Sequence, residues 1–340
     1  MTEAANLSTH DFTALADLAS ARVGGRALAT TDDFFAPMSA LIKAGPPVFI
    51  PGKYTSRGKW MDGWESRRRR TPGHDWCVVA LGMRGLIRGV NVDTSFYTGN
   101  YPSECSIDAL DVKGAVTKKM AAATGSPWVT ILNRTALKGD QSNLIAIDSA
   151  QPWTHVRLNI FPDGGVARLR VYGAAAVDWT RIARAKRPID LASILNGGLV
   201  LGANDVHYGA PGNMIMPGRA RDMSDGWETR RRRGPGHDWA IVRLGTPGLV
   251  RKIEIDTNHF KGNYPGSASI DACFEPGADL MQAEHASWTP LLPRMTLRAH
   301  HRHFFAKELA KHGPVSHMRL NIYPDGGISR LRVYGTVAQA

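Results

Sequence analysis

The chain has 340 residues, 43% of them hydrophobic and 21% charged. That balance excludes a disordered chain, a collagen and a disulfide-stapled miniprotein, and it supplies enough apolar mass for a core. Lys+Arg 42 against Asp+Glu 30 leaves a net charge of +12, which attracts anions without choosing among nucleic acid, anionic lipid and a small carboxylate or phosphate.

Gly 35 and Pro 20 together exceed the usual share of about 12%, which favours many turns and hence β structure. The opening residues have no basic region followed by a long apolar one, so no signal peptide is expected. No stretch approaches the roughly 20 apolar residues that span a bilayer. Cys77, Cys105 and Cys273 form an odd set without paired spacing and read as free thiols. A cytoplasmic protein without a membrane partner is the expectation.

In chain order, a helix signal covers Asp11–Ala21. Trp76–Gly82 is a β-rich run closed by glycine, and Leu86–Val92 follows as a second strand. Val156–Ile160 alternates apolar and polar residues, the period of a half-buried strand. Pro162-Asp-Gly-Gly is a turn, and Arg168–Tyr172 is a further alternating strand. Helix signals recur at Val177–Lys186 and Ala306–His312. Short strands between Gly/Pro turns predict an all-β antiparallel sandwich with few helices.

The chain is also a duplication. Asp17-Leu-Ala-Ser recurs at Asp190, Trp128 is matched by Trp288, and His155-Val-Arg-Leu-Asn-Ile by His317-Met-Arg-Leu-Asn-Ile. Asp62–Asp108 aligns without a gap to Asp225–Asp271, with 28 of 47 positions identical. A period of this length is a domain and not a solenoid unit. The expected organisation is an N-terminal segment 1–16, repeat 1 over 17–173, a linker 174–189, repeat 2 over 190–335 and a tail 336–340. The region 38–60 is longer in the first copy, as a surface loop can be.

The strand Trp76-Cys-Val-Val-Ala-Leu-Gly, the pair Asp93-Thr94 and the ending Leu169-Arg-Val-Tyr-Gly resemble galactose-binding-like, discoidin-type jelly rolls. More narrowly, three blocks resemble the allantoicase family: Asp62-Gly-Trp-Glu-Ser-Arg-Arg-Arg-Arg with Pro72-Gly-His-Asp-Trp, Gly99-Asn-Tyr-Pro, and Leu158-Asn-Ile-Phe-Pro-Asp-Gly-Gly. The resemblance covers nearly the whole chain. It implies two tandem jelly-roll repeats, hydrolysis of allantoate to ureidoglycolate and urea in purine degradation, and a homo-oligomer.

That reaction needs a cation for the substrate carboxylate, acceptors for ureido N–H groups, an acid for the departing nitrogen and a base for water. Arg67–Arg70 and Arg230–Arg233 are each four consecutive guanidinium groups. Arginine grips carboxylate through paired hydrogen bonds, so Arg67, Arg68, Arg230 and Arg231 are candidate clamps. Four charges in a row cannot alternate into a core unpaired, so the run lies in a loop or is partnered by Asp62, Glu65 or Asp75. His74-Asp75 and His237-Asp238 follow Pro-Gly at a loop-to-strand junction and are the candidate acid–base groups. Glu65, Asn100, Glu228 and Asn263 are candidate ureido partners, with Asp93 and Asp256 at strand ends. Each has a plainer reading as a turn former or as part of an ion-pair network. Trp64 and Trp227 are read as packing residues, and Arg157, Asn159 and Asp163 as structural polar groups.

His300-His-Arg-His303 looks like a ligand cluster, but the corresponding first-copy segment, aligned at Gly139-Asp-Gln-Ser, has no histidine. No zinc spacing occurs, so no cofactor is predicted, and a divalent ion is left open. Two alternatives stand beside the enzyme. One is a non-catalytic jelly-roll module binding a sugar or other polar anionic ligand. The other, ranked last, is nucleic-acid binding through arginine runs that acids flank.

Overall fold

The computed structural model describes residues 11–338 apart from Ser126, so most of the N-terminal segment and the last two residues lie outside the described residues. Contacts divide the chain into two units, Met1–Ala176 and Val177–Ala340.

Unit 1 contains β1 (Ala16–Asp17), β2 (Arg26–Thr30), β3 (Tyr54–Thr55), β4 (Gly58–Lys59), β5 (Trp64–Glu65), β6 (Asp75–Asp93), β7 (Glu104–Leu110), β8 (Val129–Ala136), β9 (Ser142–Ala146), β10 (Trp153–Phe161), β11 (Gly165–Val166) and β12 (Arg168–Ala175). A five-residue helix, α1 (Lys118–Ala122), lies between β7 and β8. All pairings are antiparallel, in the order β1-β12-β6-β10-β7-β8. The first half of β6 pairs with β10 and β2, and its second half with β12 and β9. One long strand thus runs through both layers. Cys77, Val79, Ile107, Val156, Leu158 and Ile160 from one layer meet Val90, Val92, Leu169 and Val171 from the other in a single buried core.

The sequence reading separated Trp76–Gly82 from Leu86–Val92. The structure joins them in β6, which changes layer at its glycines. A Cβ on Gly82 would lie 2.3 Å from the Val23 carbonyl oxygen, so this corner admits only glycine. Asp11–Ala21 is not one helix. Only short 3-10 turns form at Asp11–Ala14 and Ala21–Val23, because Ala16–Asp17 is drawn into the sheet against Tyr172 and Gly173, and Leu18 is fully buried.

Unit 2 repeats the plan. Helix α2 (Trp179–Ala185) lies where the sequence placed Val177–Lys186, with Asp178 capping Arg181 N–H. It precedes β13 (Ile189–Asp190), β14 (Leu199–Ala203), β15 (Trp227–Glu228), β16 (Asp238–Asp256) and β17 (Ser267–Cys273). Helix α3 (Leu280–Glu284), with an Asp279/Gln282 capping box, comes next. Then follow β18 (Thr289–Thr296), β19 (Arg302–Phe305), β20 (Val315–Tyr323), β21 (Gly327–Ile328) and β22 (Arg330–Val337). The expected helix Ala306–His312 is absent: Ala310 N–H is spent on the Leu291 carbonyl and the His312 ring on the Val250 carbonyl. Helices α1 and α3 escaped the sequence reading because five residues are too few to show a 3.6-residue period.

Among the described residues no helix is long and apolar enough to cross a membrane. All three cysteines are buried and free; burial pushes the Cys105 thiol up to about 12 and Cys273 to about 11.

Candidate functional site

The turn Pro162–Gly165 sets the loop that carries the arginines. Asp163 Oδ2 accepts Arg69 N–H at 2.9 Å, and Gly164 N–H reaches Ser66 Oγ. Gly164 has φ +136, and a Cβ there would lie 2.7 Å from the Asn100 carbonyl oxygen, so the turn needs glycine. The arginine run is therefore a loop, laid across the turn and leading into β6.

Within the loop, alternate arginines are partnered. Arg67 Nε meets Asp32 Oδ2 at 2.7 Å, and Arg69 Nη1 meets Asp75 Oδ1 at 2.7 Å. Arg68 and Arg70 are exposed and have no partner among the described residues. Of the three acids expected to serve the run, only Asp75 does. Asp62 is committed to Arg168 and Lys43, and Glu65 is committed to Asn100. The partner the sequence reading missed is Asp32. Its signal was present: Asp32 and Asp205 share the offset that relates Asp17 to Asp190. Burial pushes the Asp32 carboxyl up, but hydrogen bonds from Arg67 and Phe34 N–H outweigh it and hold it below the usual range.

Thr31, Asp32, Arg67, Arg68, Arg69, Thr71 and Asp75 line one open cavity of about 350 Å³. Its size falls in the range of small-molecule sites. Asp75 is 1% exposed, and its second oxygen, Oδ2, has no hydrogen-bond partner. Buried acceptors are ordinarily paired, so the orphan oxygen of this cavity-lining residue is an exception that asks for a partner.

His74 is not in that wall. It precedes Asp75 where successive side chains turn to opposite faces, and its ring packs at a tilt against Phe161 with centroids 4.6 Å apart. The two do not form a dyad. Burial pulls the His74 pKa down, the cations Arg157 and Arg69 add to this, and the Asn159 amide and Asp108 oppose it. In the second copy the matching contact is explicit: His237 Nε2 lies 3.2 Å from Asn321 Oδ1. Behind His74, Arg157 Nε and Nη2 both donate to Asp108 Oδ2, Asn159 adds a third bond at 2.8 Å, and Arg157 lies over Trp128. Asp108 and Thr130, also paired here at 2.8 Å, carried no sequence signal beyond the repeat itself.

The other candidates lie apart from the cavity wall. Asn100 Nδ2 donates to Glu65 Oε1 at 2.7 Å; burial pushes the Glu65 carboxyl up, and Asn100 offsets only part of it. Asp93 accepts Ser95 N–H at 2.8 Å, and Asp256 accepts Asn258 N–H, so each closes a local turn. Trp64 and Trp227 are fully buried, their indole N–H groups on the Asp32 and Asp205 carbonyls.

The second copy rebuilds the mouth. Arg230 pairs with Asp205 at 3.0 Å, Arg232 pairs with Asp238, and Arg231 and Arg233 are exposed without a partner among the described residues. Asn263 donates to Glu228. The histidine cluster is structural. The pairing Ser142↔Asp93 and Arg302↔Asp256 shifts the expected alignment by one, so His300 stands where Asp140 does and His303 where Asn143 does. His300 Nδ1 accepts His259 N–H just as Asp140 accepts Phe96 N–H, and His303 Nε2 accepts Arg298 N–H as Asn143 accepts Lys138 N–H. Among the described residues no group of three or more His, Cys, Asp or Glu is placed to hold a metal ion.

Fold and site define a class: a tandem jelly-roll protein whose loop mouths each present unpaired guanidinium groups beside a buried carboxylate. A family model described as "Allantoicase repeat" matches residues 16–176 and 189–338. A probable allantoicase of Burkholderia mallei is 50% identical over 323 residues, covering 94% of each chain. One of Pseudomonas paraeruginosa is 49% identical over 324 residues, covering 94% of this chain and 95% of the other. The crystal structure of the allantoicase from Saccharomyces cerevisiae matches with a TM-score of 0.80 at 32% identity, over 94% of this chain and 92% of that one. The chain belongs to the allantoicase family, and with it to the hydrolases that act on carbon–nitrogen bonds of linear amidines.

Proposed function

We propose that this chain cleaves allantoate to ureidoglycolate and urea in purine degradation, binding the substrate carboxylate on the exposed arginines of its loop mouths. The observation that carries the reading is Arg68: a guanidinium with no partner among the described residues, in the wall of a cavity also lined by Asp75, whose Oδ2 is unpaired. The reaction adds water oxygen to the carbon bearing two ureido groups and breaks one C–N bond. One proton leaves the water and one reaches the departing nitrogen.

Arg68, with Arg67 beside it, meets the carboxylate, as Arg231 and Arg230 would in the second copy. Asp75 Oδ2 accepts from a ureido N–H or from the attacking water, and Asp238 is its counterpart. His74, held below its ordinary pKa, is neutral at pH 7 and able to take up a proton; His237 occupies the same place in the second copy. Glu65–Asn100 and Glu228–Asn263 supply further ureido partners at the rim. Asp93 and Asp256 contribute by fixing the turns that follow β6 and β16.

A non-catalytic module is not favoured, because family membership runs through both repeats. A cytoplasmic location is supported by three buried free thiols. A homo-oligomer is supported by Val48, Ile50 and Tyr54, exposed on the segment that only repeat 1 carries. Purified protein given allantoate, with and without a chelator, tests the function. Urea release at enzymic rates is the expected result; none from a folded sample resupplied with divalent ions would overturn it.

A further inference from the structure

The two mouths are not equivalent, and the difference lies behind the aspartate. In repeat 1 the residue beside Asp75 is Thr31. Its hydroxyl accepts Trp76 N–H at 3.1 Å, and it makes no bond to the Asp75 carboxylate. In repeat 2 the same place is held by Asn204. Its Oδ1 accepts Trp239 N–H at 2.7 Å, and its Nδ2 donates to Asp238 Oδ1 at 3.1 Å. Asp238 Oδ1 therefore carries two donors, Arg232 and Asn204, where Asp75 Oδ1 carries only Arg69. The loop differs too: Thr71, which lines the first cavity, is matched by Gly234, which has no side chain to offer.

We infer that the mouth of repeat 1 carries the turnover, and that Thr31 is the positioning residue that leaves the Asp75 carboxylate available to substrate. A second hydrogen bond stabilises a carboxylate's charged form and makes it a poorer proton acceptor. It also fixes the orientation of the group, and asparagine fills space that threonine leaves open. Asp75 is 1% exposed, its Oδ2 is unpaired among the described residues, and the residue lines the cavity, so a ligand seated there meets an acceptor that the protein leaves unspent. The ligand class is the one proposed above, a small carboxylate bearing ureido N–H donors. Its carboxylate goes to Arg68 and a ureido N–H or the attacking water to Asp75 Oδ2. The inference rests on that functional reading and adds to it the repeat and the residue that decides.

The test is a reciprocal exchange in the full chain, Thr31→Asn and Asn204→Thr, assayed by urea release from allantoate. Asparagine at position 31 keeps a side-chain oxygen for Trp76 N–H, as Asn204 does for Trp239, so the backbone contact survives the change. Thr31→Asn is expected to lower kcat by about tenfold or more with KM within about threefold, because the arginine clamp is untouched. Asn204→Thr is expected to leave kcat within about twofold, and Thr31→Ser to recover most of the rate lost to asparagine. Wild-type kcat retained in Thr31→Asn, or an equal fall in Asn204→Thr, overturns the inference while the function stands. Absence of urea release from the wild type would instead overturn the functional reading.

Discussion

Repeat 1 and repeat 2 keep the same four arginines, the same histidine–aspartate pair and the same glutamate–asparagine contact, yet they surround them differently. Thr31 is replaced by Asn204 and Tyr97 by Phe260 at the equivalent positions, and the ion pair Arg157–Asp108 is more deeply buried than its copy Arg319–Asp271. The comparison separates what the fold requires from what a site requires. The arginine loop, its proline–glycine turn and the indole-to-carbonyl bonds of Trp64 and Trp227 recur because each mouth is built on them. The groups that differ include the neighbour of the aspartate, where a single hydrogen bond can change what the same aspartate does.

The largest effect expected from breaking this comparison is on stability. Asp108 and Arg157 have side chains 11% and 8% exposed, against 19% and 30% for Asp271 and Arg319. Asp108→Ala strands a buried guanidinium and should cost about 3–5 kcal/mol, whereas Asp271→Ala should cost less, about 1–3 kcal/mol. Urea unfolding of the two variants checks the order. Burial pushes the Asp108 carboxyl up, but bonds from Arg157, Asn159 and Thr130 hold it below its ordinary value. Its stabilisation is therefore present above the unfolded-state value, about 3.9, and is lost as pH falls through the folded one. Asp108→Ala should flatten that part of the acid-unfolding profile.

Next in size is the clamp. Arg68→Ala should lower kcat/KM for allantoate by about 10²-fold, since a charge-assisted pair to a carboxylate is lost. Arg231→Ala, in the other mouth, should cost less, and equal losses would mean that both mouths turn over. The pH profile comes third. His74 lies below its ordinary value of about 6.5, so if it takes the proton the acid limb of kcat/KM falls below that pH, and His74→Gln should remove the limb. The smallest effect is at the aromatic pair. The Tyr97 hydroxyl is buried with no partner, and repeat 2 has phenylalanine there. Tyr97→Phe should stabilise and Phe260→Tyr destabilise, each by about 1 kcal/mol, because one removes and the other adds a buried unpaired hydroxyl. Unfolding curves for the exchange decide it.

The duplication, the sandwich and the arginine loop were legible because they repeat, alternate or lead into Pro-Gly. The separation of His74 from Asp75 follows from strand alternation once the start of β6 is fixed, but the sequence does not mark where the strand begins. Asp32 was within reach, since it shares its repeat offset with Asp17, yet a lone loop aspartate has no chemistry of its own until Arg67 is set beside it. Asp108 and Thr130 were illegible because Asp108 meets Arg157 and Thr130 from two other strands, and only the registers of β7 against β10 and β8 bring them together. The bend of β6 was hidden as well, because Gly82 reads as an end until the Val23 carbonyl is seen against it.

On this reading a buried, partly unpaired aspartate in an arginine-lined mouth takes part in releasing urea from allantoate. Asp75→Asn keeps the shape and removes the charge, so urea release by this variant beside the wild type tests it most directly. The expected result is linear urea release by the wild type and a fall of about 10²-fold in the variant, with the fold retained by circular dichroism. A variant as fast as the wild type would contradict the claim and place the chemistry elsewhere.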